Sequence, residues 1–124
     1  MKAILLSLAF AFGLTAFAQK SDNAQKTPAE KANHRTEQMV KDLGLEASQQ
    51  DKVASINLDY YTAMRDVNTI PNEKDREGRA KVVKANRDNR FQAVLTAEQY
   101  TKMLTLREER KAKKKAEKKD KGNE

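Results

Sequence analysis

The sequence contains no cysteine, no tryptophan, two prolines and one histidine among its 124 residues. Without cysteine the chain can form no disulfide, can carry no lipid on a thiol and has no thiol nucleophile. A zinc site needs several histidine, cysteine or carboxylate ligands, and only His34 supplies an imidazole. His34 is a weak candidate ligand because acidic and amide side chains fall on adjacent turns of a predicted helix, at Glu30, Glu37 and Gln38. We expect no metal or other cofactor.

Patterns of common catalytic sites are also missing. The chain has no glycine-rich phosphate loop and no serine motif positioned with the histidine. Carboxylates such as Glu108 and Glu109 lie in a lysine-rich run, where ion pairing along a helix explains them. We therefore expect that the protein is not an enzyme.

The N-terminus carries the longest apolar run. Lys2 precedes this run, Ala3 to Leu14, and Ala16-Phe17-Ala18 follows with the small-x-small pattern of a signal-peptidase site. The apolar stretch is shorter than the roughly 20 residues that a membrane-spanning helix needs, which argues against an uncleaved anchor. We expect residues 1–18 to be a signal peptide cleaved after Ala18, and the mature protein to be periplasmic.

Composition limits the core and indicates the charge of the partners. Lysine and arginine number 25 against 18 acidic residues, so the net charge is +7, and loss of Lys2 with the signal peptide leaves a basic protein. Anionic partners are therefore favoured. Only fifteen of residues 27–110 are Leu, Ile, Val or Phe, which is too few for a thick core. We expect a thin helical layer that completes its burial by pairing with a second copy, as a homodimer.

Start and stop signals divide the rest of the chain. Residues 19–26 are polar and without period, so we expect a disordered leader. The helical domain is 27–110, and a lysine-rich tail, 111–124, follows it. We expect this tail to continue as an exposed helix that frays, because it has no apolar face to bury. No strand-like alternation occurs, and the fold class is all-α with four helices in a thin, cradle-like layer. The predicted helices are Pro28 to Leu43, Ala47 to Val67, a third capped by Asn72 and carrying apolar positions to Val94, and a fourth that begins after Thr96.

A helix-start motif occurs twice, 50 residues apart. Leu95-Thr96-Ala97-Glu98-Gln99 allows Thr96 and Gln99 to cap each other's backbone, and Leu45-Glu46-Ala47-Ser48-Gln49 is a degraded copy. Glu46 replaces the capping hydroxyl, so the earlier helix start should be weaker. We expect the motif residues to have a structural role, because helix capping and packing account for them. These residues are Leu45, Gln49, Leu95, Thr96 and Gln99.

With its signal peptide, helical pattern and basic charge, the chain carrying these LTxxQ-type motifs resembles the Spy/CpxP family of periplasmic stress proteins. The resemblance covers roughly Thr27 to Arg110. It implies a four-helix, cradle-shaped protomer that dimerises through antiparallel long helices and presents a concave, basic, partly apolar surface. The family includes an ATP-independent chaperone, a repressor of an envelope stress kinase and a zinc-linked member.

The chaperone function implied by this resemblance needs cations for rapid encounter and adaptable apolar side chains for weak contact. Residues of the right chemistry at helical spacing are Arg35, Met39, Met64, Arg65, Arg87, Phe91, Met103 and Arg107. We predict that these bind unfolded or misfolded envelope proteins. The alternative interpretation is that the methionines and Phe91 are ordinary core residues, with the arginine stems covering them.

Two other functions remain open. Lys111 to Lys121 contains seven lysines and could bind anionic envelope surfaces without sequence specificity, in a strongly salt-dependent manner. The protein could instead dock on a sensor-kinase domain and modulate it. We expect no sequence-specific nucleic-acid recognition.

Overall fold

The computed structural model describes residues 26–122, which form four α-helices joined by short turns. The helices are α1 Pro28–Leu43, α2 Ala47–Val67, α3 Glu73–Val94 and α4 Ala97–Gly122. This part of the chain contains no strand, which confirms the all-α, four-helix prediction. The predicted signal peptide and residues 19–25 of the predicted leader lie outside the described residues.

The helix ends follow local capping chemistry. The Thr27 hydroxyl accepts from the Glu30 N–H at 3.2 Å, and the Glu30 carboxylate accepts from the Thr27 N–H at 3.3 Å, which completes a capping box. α1 stops at Gly44, whose φ of 62° is left-handed and disfavours other residues. At the start of α3, the Asn72 side chain accepts from the Asp75 N–H at 3.0 Å.

α4 runs past the predicted domain boundary at Arg110 and continues as a helix to Gly122. Every residue from Lys111 to Gly122 is exposed. The helical form of the basic tail is thus confirmed, whereas its fraying stays a prediction. None of the four helices is both long and apolar enough to cross a membrane.

The buried core lies where the α1–α2 and α3–α4 turns meet. α2 packs against both α1 and α3, and the first half of α4 packs against α1 and α3. The side chains buried together there are Met39, Leu43, Leu45, Val53, Ile56, Phe91, Leu95 and Met103. Each helix therefore contributes only one or two of these side chains, and Leu45 and Leu95 come from the turns, so the core is small, as the composition predicts.

Both copies of the repeated motif reach this core and bind each other. Gln49 Nε2 donates to Gln99 Oε1 at 2.7 Å, and Gln99 Nε2 donates to Gln49 Oε1 at 3.3 Å. Each glutamine also serves its own helix start. Gln49 Oε1 accepts from the Glu46 N–H, and Gln99 Oε1 accepts from the Thr96 N–H, both at 3.0 Å. The two helix starts are thereby joined through one pair of amides.

The same amides satisfy helix ends. Gln49 Nε2 donates to the carbonyl of Val94, the last residue of α3, at 3.2 Å. Gln99 Nε2 donates to the carbonyl of Leu43, the last residue of α1, at 3.3 Å. Carbonyls at helix ends have no partner within their own helix. The repeated motif therefore links the α1–α2 hairpin to the α3–α4 hairpin by a pattern that is nearly two-fold symmetric.

Thr96→Ala is expected to lower the free energy of unfolding by about 1 kcal/mol, because Thr96 Oγ1 accepts from the Gln99 N–H at 3.2 Å in the first turn of α4. Thr96→Ser keeps the acceptor oxygen and is the matched control. Urea unfolding followed by circular dichroism measures both variants. Equal midpoints for Thr96→Ala and the wild type would contradict the capping role of this motif.

Candidate functional site

A cleft lined mainly by basic side chains lies among α1, α3 and α4, next to two tyrosines of α2. Its volume is about 710 Å³. We name it the basic cleft, and its lining residues are Arg35, Gln38, Tyr60, Tyr61, Lys84, Arg87, Asp88, Arg107, Arg110, Lys111 and Lys114. Seven of these are cations and only Asp88 is an anion. A concave surface with this charge concentrates negatively charged ligands.

Asp88 holds two of the arginines in place. Arg107 binds it with two hydrogen bonds, Nη1 donating to Oδ2 and Nη2 donating to Oδ1, both at 3.0 Å. Arg87 Nε also donates to Asp88 Oδ1 at 3.0 Å. Burial alone would raise the pKa of Asp88, but the hydrogen bonds and charges of Arg107 and Arg87 outweigh burial and hold that pKa below its usual value. The carboxylate is therefore ionised at neutral pH and orients both guanidinium groups.

Arg35 is half-buried, and no carboxylate of the described residues pairs with it. Its Nη1 makes one long hydrogen bond, donating to Gln38 Oε1 at 3.4 Å. Burial lowers the pKa of Arg35, and the charges of Arg110, Arg107 and Arg87 lower it further. An arginine stays protonated despite such a shift. The basic cleft therefore contains a partly desolvated positive charge that faces other positive charges.

Two tyrosines add aromatic surface and a hydroxyl. The guanidinium carbon of Arg87 lies 4.2 Å from the centre of the Tyr60 ring, and the Tyr60 and Tyr61 rings meet edge to face with centroids 5.0 Å apart. Burial raises the pKa of Tyr61 more than the nearby charge of Arg35 lowers it. The Tyr61 hydroxyl thus stays protonated at neutral pH and can donate a hydrogen bond to an anion.

A second surface, the apolar groove, lies between α2 and α3. Its lining residues are Ile56, Asp59, Tyr60, Ala63, Arg79, Val82, Val83, Asn86, Arg87 and Arg90. Val82 is 56% exposed, and Arg90 pairs with Asp59 at 2.8 Å. Since Tyr60 and Arg87 line both surfaces, the apolar groove and the basic cleft adjoin.

The structure distributes the predicted client-binding residues over several environments. Three of them come together in the basic cleft: Arg35, Arg87 and Arg107. Met64 is half-buried on α2, and Arg65 is exposed with its Nε 3.8 Å from a carboxylate oxygen of Asp66. Neither Met64 nor Arg65 lines the basic cleft or the apolar groove.

The structure corrects the predicted site at three residues, Met39, Phe91 and Met103. Each is only 2% exposed and belongs to the buried core. A side chain enclosed to this extent cannot contact a client while the chain is folded. The alternative interpretation, that these are ordinary core residues at helical spacing, is the one that the structure supports.

The motif residues have structural positions. Leu45 and Leu95 are buried in the core, and Gln49 and Gln99 are half-buried and bonded to each other. Thr96 is exposed and caps α4. Their contacts are all within the fold, which agrees with capping and packing as their role.

The sequence prediction omitted Lys84, Arg110, Tyr60 and Tyr61 of the basic cleft, whereas Lys111 and Lys114 belong to the tail that was predicted to bind anionic surfaces. The sequence does contain a signal for the α4 side of the cleft. Basic residues recur there every three or four positions, at Arg107, Arg110 or Lys111, and Lys114, and so share one face of a helix. The periodicity of α4 did not reveal that Arg35 of α1 faces this stripe.

His34, the weak metal candidate, is exposed and its Nε2 lies 3.3 Å from Gln38 Nε2. Within residues 26–122, no three His, Cys, Asp or Glu side chains are grouped closely enough to hold a metal ion. The described residues therefore offer no metal centre around this imidazole.

Comparison with known proteins gives a family match without a function. Residues 18–123 match the model of the family described as "Domain of unknown function (DUF4890)". No curated protein and no solved structure shows a significant match to the chain.

Proposed function

Since the chain belongs to the DUF4890 family, whose description names no activity, we propose a function from its own surfaces. The protein acts in the cell envelope as an ATP-independent, chaperone-like binder of unfolded or misfolded polypeptides. It holds them at the apolar groove and the adjoining basic cleft. The observation that carries this proposal is the shared wall, Tyr60 and Arg87, which places an open apolar surface beside a strongly cationic one.

The two surfaces suit weak, reversible binding of an unfolded chain. Arginines at the groove and the cleft attract acidic segments and speed the encounter. Val82 is exposed in the groove, which Tyr60 also lines, so an apolar side chain of the client can cover it without entering a closed pocket. An open surface of this kind retains a chain loosely, which a chaperone that works without ATP requires.

Export and dimerisation complete the proposal. The predicted signal peptide, residues 1–18, would deliver the protein to the periplasm, and the resemblance to the Spy/CpxP family favours a stress-protective role there. Pairing with a second copy would cover apolar surface that is exposed in a single chain, such as the side chain of Leu104 at 36%. We therefore include a homodimer in the proposal.

Val82→Glu is expected to weaken suppression of aggregation about tenfold, as measured by the concentration that halves the light scattering of an unfolded, acidic model client without ATP. The substitution removes an apolar contact and adds a charge that repels an acidic client. Thermal unfolding should change little because position 82 is exposed. The mature wild-type protein is the reference.

Leu58→Glu is the matched control, because it makes the same change at another exposed apolar position of the neighbouring helix. It should suppress aggregation as the wild type does. A chain ending at Lys115 keeps the residues that line both surfaces and should also retain activity. Loss of activity with this shortened chain would favour the polycationic tail as the binder, and a wild type without any activity would favour docking on a sensor domain.

A further inference from the structure

One arginine that lines the basic cleft has no counter-charge among the described residues. Arg107 and Arg87 share Asp88, and Arg110 Nη2 donates to Asp42 Oδ2 at 2.7 Å. Arg35 has no such partner among residues 26–122, although it is half-buried and close to all three arginines. Keeping a partly desolvated guanidinium beside other cations is unfavourable unless an anion binds there. The arrangement is typical of a site whose counter-charge comes with a ligand.

The charge continues out of the cleft along α4. Arg107, Lys111, Lys114, Lys118 and Lys121 are spaced by four, three, four and three residues, so they lie on one face of the helix. This face extends for about 21 Å at 1.5 Å per residue. The residues beyond the cleft are exposed, and most of the carboxylates of this segment fall on other faces.

From these observations we propose that the basic cleft and the cationic face of α4 form a binding site for a linear polyanion of linked phosphate groups, of which inorganic polyphosphate is the simplest member. Arg35 binds one phosphate inside the cleft, and Lys114, Lys118 and Lys121 follow the chain along the helix. This ligand is chemically distinct from an unfolded polypeptide and is additional to the proposed chaperone function.

The donor set favours phosphate over carboxylate. One guanidinium group can donate two parallel hydrogen bonds to two oxygens of the same phosphate. Because the phosphate oxygens point in several directions, donors from α1 and from α4 can bind the same phosphate. The neutral Tyr61 hydroxyl supplies a further donor beside Arg35. A row of lysines, each a point charge on a flexible stem, suits successive phosphates without a fixed register.

Arg35→Gln is expected to weaken the binding of long-chain inorganic polyphosphate to the full mature chain about tenfold, because it removes the guanidinium inside the cleft. Arg65→Gln is the matched control, since it removes an exposed arginine outside the cleft, and it should change affinity less than about twofold. Isothermal titration calorimetry at low and moderate salt measures both. Without ligand, Arg35→Gln should unfold at or above the wild-type temperature, because it relieves repulsion, whereas a merely structural arginine would lower that temperature.

A second pair of variants tests the path along α4. Lys118→Gln/Lys121→Gln should weaken long-chain polyphosphate while leaving triphosphate unchanged, because only the long chain extends beyond the cleft. Lys113→Gln/Lys119→Gln removes the same charge from other faces and should have the smaller effect. Val82→Gln makes the apolar groove polar at this position without adding a charge, and this variant should bind polyphosphate as the wild type does.

Three results would overturn the proposal. Equal losses for Arg35→Gln and Arg65→Gln would mean that only net charge matters. Equal affinity for polyglutamate of matched charge would remove the preference for phosphate. Binding to vesicles of phosphatidylcholine and phosphatidylglycerol, without binding to free polyphosphate, would assign the cationic face to a lipid surface.

Discussion

Phe91→Ala is expected to lower the free energy of unfolding by about 3–5 kcal/mol, which is the range for truncating a buried phenylalanine. The Phe91 side chain is 2% exposed, and it packs in the same core as Val53 and Met103. The core is small, so neighbouring helices have few side chains that can move in to fill the cavity. For a small domain this loss is a large part of the total stability, and we expect a partly unfolded protein at 37 °C.

Urea unfolding measures this effect. Val82→Ala is the control, because it truncates an exposed apolar side chain on the same helix. Val82 is 56% exposed, so Val82→Ala should change the free energy of unfolding by less than about 0.5 kcal/mol. If Phe91→Ala left the unfolding midpoint unchanged and weakened client binding, Phe91 would be a surface contact and the core described above would be incorrect.

The helix bounds could be predicted from the sequence because they depend on neighbouring residues. Thr27 and Glu30 form their capping box within one turn, and Gly44 ends α1 through its own backbone conformation. Asn72 starts α3 in the same local way. Interactions of this kind span three or four residues, so a single sequence contains all the information they need.

The surfaces could not be predicted to the same degree because they depend on residues far apart in the chain. Arg87 and Phe91 are four residues apart and so lie on one stripe of α3, but this spacing alone does not decide which side chain is enclosed and which faces solvent. Phe91 is covered by the other helices, whereas Arg87 remains at the edge and reaches Asp88 and Tyr60. The cleft around Arg35 likewise exists only after α1 meets α4.

The glutamines of the repeated motif show the same limit. Gln99 bonds to the Thr96 N–H as the motif predicts, and this local contact already explains the residue. Its bonds to Gln49 and to the Leu43 carbonyl cross 50 and 56 residues of sequence. Nothing in the sequence of either copy indicates that the two copies are in contact. The hydrogen bonds between them therefore cannot be predicted from the motif.

Gln99→Ala is expected to lower the free energy of unfolding by about 2–3 kcal/mol, more than the loss of the Thr96 hydroxyl. The Gln99 side chain accepts from the Thr96 N–H, exchanges hydrogen bonds with Gln49 and donates to the Leu43 carbonyl. Its removal takes one partner from the half-buried Gln49 amide and leaves the Leu43 carbonyl, at the end of α1, without the donor that Gln99 supplies. An unpaired buried polar group costs about 1–3 kcal/mol by itself. Gln92→Ala, at an exposed position of α3, is the control and should have little effect.

A double-mutant cycle separates the bond between the two glutamines from their separate capping roles. Gln49→Ala should also be destabilising, and Gln49→Ala/Gln99→Ala should cost about 1–2 kcal/mol less than the sum of the single variants, because the second substitution removes an amide that has already lost its partner. Additive losses would mean that each glutamine only caps its own helix. A coupling free energy of this size would instead show that the two glutamines stabilise the contact between the two hairpins together. In a chain with so small a core, this contact gives both copies of the motif a structural role.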